Sequence, residues 1–153
     1  MRKLLIGFVL ACTAMLALPG AAQAAKAPRL NLVIDNFRFC SAAPCTPLDA
    51  GYVRTDTGPV SGTDNPFATI NVKRGTTVVW KYMDSTCNAI SGCPGHNIYF
   101  ENGRAGVKKG FVPANSSKTI NVKITQKRGT TIRYFCTVNG HYMVGMTGIL
   151  HVT

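Results

Sequence analysis

Apolar residues recur at every second position in a series of short runs, the pattern of strands with one face turned inward. Leu30, Leu32 and Ile34 alternate with Asn31, Val33 and Asp35 and predict a first strand. Regularity is then lost over residues 36–66, which hold four prolines, several glycines, Cys40 and Cys45. This stretch predicts a long irregular excursion, tied at its base by a small disulfide loop and packed over one end of a β-core. Strand signals resume at residues 68–72 and, after a Lys73-Arg74-Gly75 turn, at residues 76–82, where Val78, Trp80 and Tyr82 share a face and the single tryptophan is a core filler. A turn-rich insert, residues 85–95, delivers the chain to His96-Asn97-Ile98-Tyr99-Phe100, the start of another strand. Residues 101–110, with Arg104, Lys108 and Lys109, predict a solvent loop. Alternation returns at Ile120, Val122 and Ile124, again at Ile132, Tyr134 and Cys136, and finally over residues 148–152. No segment keeps a helical period beyond a turn or two. Seven or eight short strands separated by turn signals predict an all-β fold, a Greek-key β-sandwich or barrel, with no internal repeat and no second domain.

The first 24 residues stand apart from this pattern. Met1-Arg2-Lys3, the apolar run of residues 4–18 and the Ala22-x-Ala24 end predict an export signal, with residues 25–153 as a single mature domain in the periplasm or outside the cell. The apolar run is shorter than the roughly 20 residues of a membrane-spanning helix, so no span is expected after cleavage. Val9-Leu10-Ala11-Cys12 also reads as a lipidation box, but the apolar run continues to Leu18, which suits ordinary cleavage better.

Export changes the meaning of the cysteines. Cys12 leaves with the signal, and in an oxidising compartment proximity favours pairing Cys40 with Cys45 and Cys87 with Cys93. Cys136 is left over. The charge is strongly basic, 17 Lys plus Arg against 6 Asp plus Glu, or +11. Removing Arg2 and Lys3 leaves +9, a field suited to an acidic partner surface. Nucleic acid is the alternative partner for a basic chain, and the export signal together with the absence of any nucleic-acid motif weighs against it.

The leftover cysteine sits in the stretch richest in ligands. From Cys136 to Met146 the chain carries a thiol, the His141 imidazole and a thioether in the spacing C-x4-H-x4-M. Soft sulfur with imidazole nitrogen selects copper, and two histidines with one cysteine and a weak axial methionine make a blue copper site. His96, at the head of a neighbouring strand pattern, supplies the second histidine. Met143 is a rival to Met146 for the axial place. His151 lies inside the last strand with no partner pattern and reads as structural or exposed.

Gly75-Thr76-Thr77-Val78-Val79-Trp80, Gly95-His96-Asn97, Tyr134-Phe135-Cys136 with C-x4-H-x4-M, and Gly145-Met146-Thr147-Gly148 follow one another in an order that resembles the cupredoxins, the small blue copper proteins such as azurin, plastocyanin and rusticyanin. The resemblance covers roughly residues 67–153. It implies a cupredoxin-like fold holding one copper ion, with His96, Cys136 and His141 as trigonal ligands and Met146 as axial ligand. It also raises the Gly95 carbonyl as a second axial group. Asn97 resembles the family's asparagine that ties the ligand loops together, and Thr137 is placed to aim a backbone N–H at the Cys136 sulfur.

The function implied is one-electron transfer by an exported carrier that turns over no substrate of its own. His141 is expected to face outward with Tyr142 and Met143, forming with Val144 and Pro94 an apolar port. The expected partners are redox proteins with acidic docking surfaces: a cytochrome, a reductase or an oxidase. Copper storage or delivery is the alternative. A multicopper enzyme needs further ligands, and only His151 is unassigned.

Overall fold

A computed structural model describes residues 26–42, 44–46, 52–53, 61–62, 69–88, 90–101 and 106–153. The segment expected to be an export signal lies outside the described residues, as does much of the stretch 36–66. Among the described residues, nine strands form two sheets that do not close into a barrel. The strands, in chain order, are β1 (Arg29–Asp35), β2 (Arg38–Cys40), β5 (Thr69–Val72), β6 (Thr77–Tyr82), β7 (Gly95–Phe100), β8 (Val107–Pro113), β9 (Thr119–Lys123), β10 (Thr131–Phe135) and β11 (Thr147–Val152). A separate two-stranded ribbon pairs β3 (Tyr52–Val53) with β4 (Ser61–Gly62).

One sheet has the order β2-β1-β6-β9 and the other β5-β11-β10-β7-β8. Two pairings are parallel, β1 with β6 and β5 with β11, and the others within these sheets are antiparallel. The alternating positions supply the core between the sheets. Leu32, Ile34, Trp80, Ile98, Tyr134 and Leu150 are buried there, and Trp80 sits edge-on to Tyr134 with ring centroids 5.3 Å apart. Each such aliphatic side chain contributes about 1.5–3 kcal/mol by leaving water. On the opposite face of β10, Phe135 stacks on Tyr99 at 5.9 Å and meets Tyr142 at 6.2 Å. The strand that leads into Cys136 is therefore gripped from both sides.

Three departures from the sequence reading have local causes. Residues 36–40 are ordered structure: Asn36 and Phe37, both at positive φ (48° and 55°), turn β1 back into β2. Such a two-residue turn suits the twist of a hairpin. It carries Phe39 into the core. Residues 107–110, expected in a solvent loop, open β8, which lies at a sheet edge where Lys108 and Lys109 suit a strand with one unpaired side. The stretch after Thr137 forms a kinked 3-10 turn, Val138–Val144. Both disulfides form as expected, Cys40 with Cys45 and Cys87 with Cys93, and Cys136 remains a free, buried cysteine.

Candidate metal centre

The neighbouring strands β7 and β10 bring the ligand candidates to one end of the sandwich. His96 is the second residue of β7, and Cys136 follows the last residue of β10. Beyond Cys136 the chain folds back through backbone hydrogen bonds. Tyr142 N–H donates to the Cys136 carbonyl (3.0 Å), Met146 N–H to the His141 carbonyl (3.1 Å), and Cys136 N–H to the Met146 carbonyl (3.1 Å). Asn139 and Gly140, in left-handed conformations, break the 3-10 turn just before His141. The loop thus returns to β11 directly beside its start, with its polar backbone groups paired.

Three donor atoms converge. Cys136 Sγ lies 3.8 Å from His96 Nδ1 and 3.5 Å from His141 Nδ1, and the two Nδ1 atoms are 3.2 Å apart. A point equidistant from all three lies about 2.0 Å from each, against about 2.0–2.3 Å for metal bonds to imidazole nitrogen and thiolate sulfur. The triangle fits one ion. His96 and Cys136 are wholly buried and His141 is 6% exposed. A second sulfur-rich group, Cys87, Cys93 and His96, also comes together, but its two sulfurs are joined in the disulfide and offer no thiolate.

Met146 is fully buried in the core cluster, whereas Met143 is 53% exposed. Gly95 is buried, with its carbonyl oxygen 3.5 Å from Cys93 Sγ. His151 lies near the opposite end of the sheet, paired in register with the first residue of β10, its Nδ1 3.5 Å from Thr131 Oγ1.

Two expectations are corrected. His141 does not face solvent: Phe37 lies edge-on to its ring at 4.9 Å, and Cys93 Sγ is 4.0 Å from its Nε2. The β1–β2 hairpin and the disulfide loop cover the edge that sequence reasoning left open, and Tyr142 is buried as well. Thr137 N–H points to Asn97 Oδ1 (2.8 Å), and Asn97 Nδ2 returns a bond to Thr137 Oγ1 (2.9 Å). This is the expected tie between loops, but the N–H groups that reach the sulfur belong to Asn97, 3.5 Å from Sγ, and to Val138.

Asp84 and Phe37 were not anticipated. Asp84, just past β6, is 1% exposed, and its Oδ2 lies 3.0 Å from His96 Nε2. That contact suits an imidazole proton on Nε2, with the Nδ1 lone pair facing the cluster. An aspartate among turn residues reads as a turn former, and the contact with His96 spans twelve residues, so no local pattern announces it.

The pocket disfavours charge. Burial pushes the Cys136 thiol up to about 11, against the smaller opposing effect of the Asn97 and Val138 N–H groups. Burial, then repulsion from His96, pushes His141 down to about 4, and burial lowers His96 despite Asp84. Burial alone would raise Asp84, but hydrogen bonds from Thr86, Phe37 and His96 outweigh it and hold the carboxyl below its usual range. At neutral pH the cluster is therefore two neutral imidazoles and a neutral thiol. A bound cation would draw off the thiol proton and supply the charge the pocket lacks.

Residues 65–153 match the family described as copper binding proteins, plastocyanin/azurin family. Among solved structures, the chain is similar to a point mutant of amicyanin in its Cu(I) form, with 18% identity, 86% of this chain and 87% of that chain covered, and a TM-score of 0.46. It is also similar to a purple cupredoxin from Nitrosopumilus maritimus, with 18% identity, 80% and 98% covered, and a TM-score of 0.42. A search of curated proteins finds no match. With its all-β sandwich and a family match that runs from before β5 to the last residue, the chain belongs to the plastocyanin/azurin family of copper-binding proteins, the cupredoxins.

Proposed function

We propose that the protein is an exported one-electron carrier in which His96, Cys136 and His141 hold one copper ion and Met146 is the axial ligand. The observation that carries the reading is the buried triangle of one sulfur and two nitrogens, whose centre is at bonding distance from all three donors. Copper supplies the redox couple. The residues supply a fixed cage: β7 and β10 set His96 and Cys136, the loop's backbone bonds set His141, and Asn97 joins the two sides. Such a cage holds one geometry in both oxidation states, which keeps reorganisation small. The burial of Met146 beside an exposed Met143 supports Met146 as the axial group.

Electron exchange takes place through the covered edge of His141, across the disulfide loop. Asn139 Nδ2 donates to the Gly92 carbonyl (3.1 Å), tying that loop to the ligand loop. Met143, Val144 and Ile90, all well exposed, offer apolar contact on the two loops. The basic charge favours an acidic redox partner, a cytochrome, reductase or oxidase. Storage or delivery would call for ligands within reach of an acceptor protein, and these lie at 6% exposure or less.

Adding Cu(II) to the purified protein and recording visible absorption and electron paramagnetic resonance tests the reading. The expected result is an intense thiolate-to-copper band with narrow copper hyperfine splitting. A pale, ordinary Cu(II) spectrum would overturn it.

A further inference from the structure

The Asp84 carboxylate is placed where a single charge can act on the centre without touching the metal. It is buried, and its two oxygens accept from five donors. Oδ1 takes Thr86 N–H (2.8 Å), the Thr86 hydroxyl and Cys87 N–H (3.2 Å); Oδ2 takes Phe37 N–H (3.0 Å) and His96 Nε2 (3.0 Å). One group thereby joins the β1–β2 hairpin that covers His141, the base of the disulfide loop and the histidine of β7. Donors in that number favour the ionised form. Among the described residues, no lysine or arginine lies within ion-pairing distance of Asp84.

We propose that Asp84 is a positioning residue that fixes His96 as its Nε2–H tautomer and, through its negative charge, makes the centre favour Cu(II) over Cu(I). This rests on the copper reading above. A carboxylate accepting from the far nitrogen of a ligating imidazole orients the ring and raises its basicity. A more basic ligand beside a fixed negative charge stabilises the more positive oxidation state. Thr86 opposes the effect, because its two bonds draw charge toward Oδ1 and away from the oxygen that faces His96.

The test is a pair of substitutions with opposite predicted signs. Asp84→Asn keeps size and loses the charge, and loss of an outer partner of this kind lowers metal affinity about 10–100-fold. The ratio of Cu(II) to Cu(I) affinity should fall at least about tenfold, which raises the reduction potential by about 59 mV for one electron. Thr86→Val removes the hydroxyl donor, leaves the carboxylate charged and should move the potential the other way. Both variants lose loop hydrogen bonds and stability, so a purely structural role would move both potentials in one direction or neither, and either result would overturn the proposal.

If Asp84→Asn does not fold, the Thr86→Val potential decides alone: a fall supports the proposal, and no change or a rise overturns it. The tautomer is read separately in the metal-free protein by long-range proton–nitrogen correlation. Nε2–H is expected at His96, and Nδ1–H would contradict the assignment. Absence of a thiolate–copper band in the unsubstituted protein would sink the copper reading itself and leave the tautomer result standing.

Discussion

Replacing Gly95 by alanine should damage both fold and site, by an amount the structure lets one work out. Gly95 precedes His96 at the start of β7 with φ of +136°, a conformation L-residues rarely adopt. A Cβ there would lie 2.8 Å from Pro113 Cα, 2.9 Å from Ala114 N and closer still to the Val112 carbonyl oxygen. All three belong to the backbone of β8 or the residue after it, so no side chain can swing aside. Backbone strain contributes about 1–3 kcal/mol, and overpacking a further 1–3 kcal/mol. The sum, about 2–6 kcal/mol, is a large share of the 5–15 kcal/mol that holds a typical domain together.

For a chain of this size the melting temperature should drop by about 4–24 °C. Gly92→Ala is the control. Gly92 also has positive φ, +68°, but no atom lies within 4 Å of its would-be Cβ, so strain alone, about 1–2 kcal/mol, should appear. Thermal unfolding of both metal-free variants, followed by far-ultraviolet circular dichroism, makes the comparison. Copper-loaded Gly95→Ala should also show an altered visible spectrum, because relief of the clash pushes β7 and His96 away from β8. If the two variants melt within about 3 °C of each other, the steric argument is wrong.

Other outcomes follow from the same geometry. The metal-free protein should lose stability as pH falls from 6.5 toward about 4, because unfolded histidines take up protons that buried His96 and His141 resist. The slope is about 1.4 kcal/mol per pH unit for each such histidine, read by denaturant melts across that range, and a flat profile would contradict the burial. Copper loading at pH 7 should release one proton per ion, since the Cys136 thiol is pushed up to about 11 and is protonated beforehand. Indicator-dye titration measures the release, and none would mean the thiolate is not a ligand. Met146→Leu should change the reduction potential and visible spectrum while Met143→Leu leaves both alone; the reverse pattern would make Met143 the axial group. Opening the Cys87–Cys93 loop by a double substitution to serine should cost about 2–3 kcal/mol in denaturant melts. It should also uncover His141 and alter the electron-exchange rate with a partner.

The sheets were legible because period-2 alternation is a local signal that burial of one face enforces. The ligand loop was legible because its candidates lie within eleven residues. Contacts made across the fold were not. Phe37 N–H reaches Asp84 across 47 positions, and the ring of Phe37 closes the site over His141, yet each sits in a stretch that reads as a turn. Asp35-Asn36 followed by Arg38-Phe39 did carry a hairpin signal, masked by the prolines and glycines that follow. β8 was hidden by its lysines, which suit an edge strand as well as a loop. Thr137 was assigned to the wrong acceptor because the side chain of Asn97, 40 residues earlier, competes for its N–H and wins at 2.8 Å.

The most direct test of the centre is X-ray absorption at the copper edge of the loaded protein. The account predicts one sulfur and two imidazole nitrogens at short distance, with the short sulfur contribution lost in Cys136→Ser. A shell of nitrogen and oxygen alone, unchanged by that substitution, would contradict it.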